Sequence, residues 1–271
     1  MAETLPVTDN LLAKAPEPSA PEAALSETQG RTSAFQCQPI GTVHSCFKEK
    51  FGIPRQPGLA TTARAELELT GDYARMDAVR GLDRCSHIWV LFLFSEHLDR
   101  GWTPLVRPPR SKGGKMGVFA TRATFRPNPI GMSVVKLDRI ENRDGTPILH
   151  LSGIDILDGS PVIDIKPYLP YADSLPDAYY DYATDSQKTY LAVHFSAQAE
   201  QLLSNHTDRQ ALRQLIEDLL SCDPRPTHRR KPDDERIYGI RLDDYNVRWR
   251  MNNDSIDVIT IETLQPATPT V

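Results

Sequence analysis

Apolar positions recur along this chain with two periods, and the change between them divides it. Ala65–Leu69 alternates apolar and acidic residues, as a half-buried strand does. Ser86–Phe94 has little alternation and a dense aromatic and branched content, which predicts a central strand buried on both faces. Phe35–Val43 reads as a first strand ending near Gly41, and Gly117–Thr121 as a short buried strand. Met132–Ile140 and Pro147–Ile154 flank Asn142-Arg143-Asp144-Gly145, whose Asp-Gly pair is a hairpin signal, so the two strands are expected to pair antiparallel. Between the early strands, Ala74, Ala78, Val79 and Leu82 are spaced for one face of a short helix over Tyr73–Leu82.

Past residue 170 the period lengthens. Ala172–Gln187, with Tyr179, Tyr180 and Tyr182 among aspartates, reads as an irregular connection. Ser196–Asn205 and Asp208–Cys222 read as helices, the second carrying Leu212, Leu215, Ile216 and Leu219 on one face with Asp208 placed to cap its start. Three strands follow, Ile237–Leu242, Tyr245–Met251 and Ser255–Ile261, the middle one alternating Val247 and Trp249 against Arg248 and Arg250. The expected fold is mainly β: an antiparallel sheet curled into a barrel over residues 34–180, then a small α/β domain over 181–265. Residues 1–33, rich in Ala, Pro, Glu, Ser and Thr, read as a disordered acidic tail, and 266–271 as a second tail.

Two loops interrupt this pattern with the same chemistry. In Arg126-Pro127-Asn128-Pro129 the prolines end any strand and hold Arg126 and Asn128 extended, a spacing that can point both side chains one way. Ile53-Pro54-Arg55-Gln56-Pro57-Gly58 again locks a cation and an amide between prolines. Each is either a surface turn or half of a rigid frame for a polar ligand. Directly after the hairpin come Asp155, Asp158, Asp164 and Lys166, carboxylates and a cation around the Asp158-Gly159-Ser160-Pro161 turn, with Asp164 and Lys166 able to pair on one face.

Charge sharpens the picture where composition does not. The chain of 271 residues has a formal net charge of -5, yet Arg107, Arg110, Lys112, Lys115, Arg122 and Arg126 follow one another with no acidic residue between the first and the last. Overall acidity argues against indiscriminate nucleic-acid binding, but a local patch keeps a phosphate-bearing substrate open. A second basic segment, Arg225–Lys231 with His228, Arg229 and Arg230, is either a solvated loop or, with Arg248, Arg250 and the neighbouring Trp249, a second nucleic-acid contact. Cys37, Cys46, Cys85 and Cys222 are scattered without a Cys-x-x-Cys pair and are expected to stay reduced in a cytoplasmic protein. The acidic start lacks the features of a signal peptide, and Ile88–Phe94, the longest apolar run, is too short to span a bilayer. Gly-x-Gly, Gly-Lys-Ser/Thr and His-Glu-x-x-His are all missing, which removes the usual support for dinucleotide, P-loop and zinc chemistry; no metal site is expected.

Taken together and in order, Ile53–Gly58, Ser86–Phe94, Met116–Met132 and Asp155–Pro170 resemble the TrmO family, also called TsaA-like or YaeB, and the likeness runs over roughly residues 35–262. The resemblance implies a single-sheeted β-barrel and an S-adenosylmethionine-dependent methyltransferase acting on N6 of threonylcarbamoyladenosine beside the tRNA anticodon. It implies a donor site at Pro54, Arg55 and Gln56, at Ser95 and Glu96, at Arg122, and along Asp155, Ile156, Leu157, Asp158 and Gly159, completed by a homodimer. Relatives often carry His where this chain has Ser95, which leaves backbone contacts as the common element there.

On that reading Asp155, Asp158 or a substrate group takes the N6 proton, while Arg126 and Asn128 hold the threonyl carboxylate and carbonyl, with Lys166 and Tyr168 also toward the substrate. The expected partners are a tRNA anticodon stem-loop bearing the threonylcarbamoyl group and a second copy of the chain, with neither a membrane nor DNA. A non-catalytic RNA-binding or ligand-sensing barrel, and an S-adenosylmethionine hydrolase, are the competing readings.

Overall fold

The computed structural model describes residues 36–108, 114–181, 190–226, 229–231 and 234–264. Arg110, Lys112, Tyr182, His228 and both predicted tails lie outside the described residues. The account below concerns the compact unit that begins at Cys37.

The barrel is built from β1 (Gly41–Ser45), β2 (Arg64–Leu69), β3 (His87–Leu93), β6 (Ile130–Arg143), β7 (Thr146–Ser152) and β8 (Ser160–Pro167), closed in the order β1-β2-β7-β6-β3-β8 with every neighbouring pair antiparallel. Closure leaves no free edge, and a barrel this narrow is filled by its own side chains: Val43, Leu67, Ile88, Val90, Val135, Leu149, Leu151 and Val162 are buried. The β6–β7 hairpin turns where the sequence placed it, at Asp144 and Gly145, with φ of 52° and 90°.

Several boundaries differ from the sequence expectations. The first strand starts after Pro39, which has no N–H to give a ladder, so it covers Gly41–Ser45 instead of Phe35–Val43. β3 is not buried on both faces: Ile88, Val90 and Phe92 point inward while Trp89, Leu91 and Leu93 lie half-buried outside, as a barrel wall requires. Gly117–Thr121 is not a strand. Only Met116–Gly117 (β5) pairs, with Leu105–Val106 (β4), and Val118–Ala120 then forms a 3-10 turn, because the Thr121 hydroxyl and amide both donate back to the Val118 carbonyl. Tyr73–Leu82 breaks into 3-10 turns, stopped at Gly81 with φ of 86°, and buries only Val79 on its way.

After a single helical turn, α1 (Pro170–Asp173), the C-terminal part has a sheet ordered β10 (Ile237–Leu242), β11 (Tyr245–Asn252), β12 (Ser255–Thr263), β9 (Ala192–Phe195). Helices α2 (Ala197–Asn205) and α3 (Arg209–Ser221) begin on Ser196 and Asp208, whose side chains accept the Ala199 and Ala211 amides at 3.1 Å each. Leu212, Leu215, Ile216 and Leu219 are buried as their spacing requires. β9 has no counterpart in the sequence reading; it is four residues long and joins β12 in parallel. Trp249 is completely buried, stacked on Tyr238 at 4.8 Å, so it is a core residue and not a base-stacking surface.

The two sheets share one continuous apolar core. At the join Phe47 bridges to Leu242, the Asp243 amide donates to the Cys46 carbonyl at 2.9 Å, and Thr62 Oγ1 donates to Asp218 Oδ2 at 3.0 Å.

Candidate active site

Because all barrel pairings are antiparallel, one rim collects the ends of β1, β3 and β7 together with the starts of β6 and β8. A pocket of about 450 Å³ opens there, within the size range of sites for small cofactors. Phe92, Phe94 and Leu157 give it an apolar surface, and the loop after β1 supplies Lys50 and Ile53 through Gln56. Phe92 can lie where it does because Gly131 faces it: a Cβ at Gly131 would overlap the far edge of the ring. Gly131→Ala is therefore expected to cost about 1–3 kcal/mol of stability by forcing the ring aside, measured by urea unfolding. Adding Phe92→Leu should recover part of that loss, and independent, additive effects would show that the ring is not the cause.

The two proline-locked loops meet at this rim. Arg122 Nη1 donates to Gln56 Oε1 at 2.6 Å, joining residues 66 apart in sequence. Arg126 also lines the pocket, but its Nη1 donates to the carbonyls of Val118 (3.2 Å) and Thr121 (2.7 Å), so the guanidinium braces the turn that carries Arg122's neighbours. At the exit of β3, Glu96 pairs with Lys50 at 2.8 Å, a hydrogen bond that lowers its pKa; burial lowers that of His97.

Asp155 is the lining carboxylate whose acidity burial changes most. Burial pushes its pKa up to about 6, against the opposing pull of a 2.6 Å hydrogen bond from Ser133 Oγ and the charge of Arg122. A carboxylate so tuned is ionised at neutral pH and basic enough to accept a proton.

Of the residues singled out by sequence, Pro54, Arg55, Gln56, Ser95, Glu96, Arg122, Arg126, Asp155 and Leu157 line the pocket. The others do not. Asn128 is exposed and outside the lining, and its backbone carbonyl accepts the Ile130 amide at 2.7 Å, whereas Arg126 lines the pocket. Ile156 is fully buried in the core. Asp158 staples the 155–159 turn to β1, accepting the Ser45 amide at 2.9 Å and pairing with Lys48 at 3.0 Å, and the Gly159 amide donates to Val43. Lys166 and Tyr168 belong to the far end of β8, at the opposite rim: Lys166 pairs with Asp164 at 2.6 Å, as its spacing allowed, and Tyr168 packs on Trp89. Ser133 was missed, although a signal existed: it is the polar member of the inward-facing series Gly131, Ser133, Val135, Leu137.

The second basic segment is open only in part: Arg229 and Lys231 are exposed, while Arg225 and Arg230 are tied inward. Arg225 is only 4% exposed and held by Asp223, and Arg230 donates to the carbonyls of Asp223 and Arg225. Arg248 and Arg250 do face outward, 3.6 Å from Glu262 and 3.7 Å from Asp257. Among the described residues no group of His, Cys, Asp and Glu could hold a metal ion, and no helix is long and apolar enough to cross a membrane.

Comparison with known proteins agrees with this architecture. Residues 42–174 match the model of the tRNA-methyltransferase O N-terminal domain and residues 188–264 that of the TrmO C-terminal domain. A tRNA (adenine(37)-N6)-methyltransferase of Escherichia coli K12 is 47% identical over 232 residues, which is 85% of this chain and 99% of that protein. A Pseudomonas aeruginosa protein, named provisionally as an S-adenosylmethionine-dependent methyltransferase, is 50% identical over 78% of this chain and 90% of its own length. The crystal structure of TrmO from Pseudomonas aeruginosa superposes with a TM-score of 0.70 at 45% identity, covering 84% of this chain and 97% of that one. With both family models matched in order and a curated relative covered almost end to end, this chain belongs to the tRNA-methyltransferase O family.

Proposed function

We propose that this chain is an S-adenosylmethionine-dependent tRNA methyltransferase that methylates N6 of threonylcarbamoyladenosine at position 37, beside the anticodon, and works as a homodimer. The observation that carries the reading is Asp155: a carboxylate raised to about 6 in the lining of a pocket with an apolar surface, in a family whose relatives are named for N6 methylation of adenine. Aromatic side chains, a carboxylate and cations at one rim suit the parts of the donor, a purine ring, an ammonium and a carboxylate. Phe92 and Phe94 offer apolar surface for the purine, Glu96 a partner for the ammonium, and Arg122 one for the carboxylate. When bound, the donor supplies an electrophilic methyl group on a sulfonium sulfur.

The chain's own work is alignment and proton removal. Rigid loops bounded by Pro54, Pro57, Pro127 and Pro129 hold the pocket walls at little entropic cost, so the attacking nitrogen meets the methyl carbon in line. The ureido N6–H of the modified base loses its proton as the new N–C bond forms and the methyl carbon's bond to sulfur breaks, with that electron pair left on sulfur. Asp155 accepts it, Ser133 fixing one carboxylate oxygen and leaving the other to point at the substrate. Arg126 acts here as a brace for the pocket wall, not as a clamp on the threonyl group. The dimer reading draws on the exposed Leu169, Tyr171, Leu175 and Tyr179 along the segment after β8.

Purified protein incubated with labelled methyl donor is expected to transfer label to tRNA that carries the threonylcarbamoyl group and not to tRNA that lacks it. Donor binding without transfer would favour a sensing barrel, and donor breakdown without tRNA would favour a hydrolase. Either result would overturn the reading.

A further inference from the structure

We propose that Phe119 is a stacking platform for an unpaired nucleobase next to the methylated one, which makes it a substrate-binding residue of this site; the proposal rests on the tRNA reading above. Phe119 is 73% exposed, while its neighbour Val118 is 2% exposed and anchors the turn. An exposed phenyl ring on a mobile loop would mean little, but this mount is stiff. The Thr121 amide and hydroxyl donate to the Val118 carbonyl at 3.1 and 2.9 Å, and Arg126 Nη1 ties Val118 and Thr121 together. Tyr180 Oη, from the segment after β8, donates to the carbonyl of the next residue, Ala120, at 2.5 Å. The ring is therefore presented beside the pocket by a turn held from three sides, and stacking on it costs little ordering entropy.

The charge of the stretch that carries the ring points to the occupant. No acidic residue occurs from Arg100 to Leu137, and this stretch places Arg107 and Lys115 at the end of the β4–β5 ribbon, Arg122 in the pocket wall and Arg126 with its guanidinium 5.8 Å from the Phe119 ring centre. Two copies meeting face to face here would set these cations against one another, since a two-fold contact repeats the same surface on both sides. A polyanion with aromatic bases fits both features at once: phosphates for the cations, a base for the ring. The reactive base must leave its stack to enter the pocket, and an aromatic surface at the rim replaces the stacking that its neighbour loses.

The test uses the full chain and an anticodon stem-loop with 2-aminopurine placed on either side of the target base. Phe119→Ala is expected to weaken stem-loop binding by about 10- to 100-fold, the loss typical of one base–aromatic stack, and to raise KM for tRNA similarly with donor affinity and kcat little changed. Phe119→Trp should retain binding, and quenching of the 2-aminopurine by the native protein should disappear in Phe119→Ala. Unchanged stem-loop affinity in Phe119→Ala would overturn the proposal. So would a shift of that variant to a smaller oligomer with tRNA affinity intact, which would assign the ring to a contact between copies. Binding is read without turnover, so a native protein that binds the stem-loop through Phe119 yet transfers no methyl group would sink the function proposed above and leave this inference standing.

Discussion

Asp155→Asn is expected to lower methyl-transfer turnover by about 10²- to 10⁴-fold, the range for removal of a general base, with donor affinity little changed because the amide keeps the shape and can still accept the Ser133 hydroxyl. In the native protein kcat should rise with pH through about 6 and then level, since only the ionised Asp155 accepts a proton. The variant should lack that limb. Stability should move the other way. The folded-state pKa of Asp155 lies above its ordinary value of 3.8, so below about 4 the group is protonated in both states and carries no penalty. As pH rises from there through about 6, the unfolded chain releases its proton first, and the native protein loses stability relative to it. Above that window the penalty is constant, and the amide, which never ionises, is expected to be more stable than the native protein by about 1–3 kcal/mol. Urea midpoints at pH 4 and pH 8 measure this. A variant that kept its turnover, or gained nothing at pH 8, would remove Asp155 from the role of base.

How much of this was legible in the sequence depends on whether a residue's task is set by its neighbours in the chain or by distant ones. Local signals succeeded: the Asp144-Gly145 hairpin, the Asp208 cap and the leucine face of α3 are specified within a few residues. The β9 strand escaped because its four residues pair in parallel with a strand some 60 positions later, and nothing in Ala192–Phe195 alone records that partner. At the site, the paired loops were visible as Pro54–Pro57 and Pro127–Pro129, since proline restricts the backbone wherever it stands. What Arg126 does with its charge was not visible, because the carbonyls it holds at Val118 and Thr121 are turned inward by a 3-10 turn that apolar content alone presents as a strand. Lys166 and Tyr168 illustrate the complementary failure. They follow closely on Asp155, yet β8 runs the length of the barrel between them and carries them to the other rim.

The basic segment near Arg225 shows the same limit and gives the larger stability effect. In sequence it is a run of positive charge. In the fold Arg225 is a buried knot: its Nε and Nη2 donate to the two carboxylate oxygens of Asp223 at 2.9 and 3.1 Å, and its Nη1 approaches Asp234 and the carbonyls of Arg229 and Lys231, each at 3.4 Å. Burial opposes its charge, but hydrogen bonds to Asp223 and Asp234 outweigh that and hold its pKa above the usual value. The Tyr238 hydroxyl donates to Asp234 at 2.5 Å, and Tyr238 stacks on the buried Trp249, so the knot ties Asp223, Arg225 and Asp234 to the core of the C-terminal sheet. Arg225→Met keeps most of the volume and removes the charge. It leaves the partly buried Asp223 and Asp234 without their main partner, and breaking such a pair from one side is expected to cost about 2–4 kcal/mol, toward the lower end of the range for fully buried pairs. Replacing Asp223 and Asp234 by Asn in the same chain should return a large share of that, because the stranded charges are then gone. Urea unfolding of the single and triple variants measures the coupling. An Arg225→Met protein as stable as the native one, but with weakened tRNA binding that responds to salt, would instead make this arginine a phosphate contact.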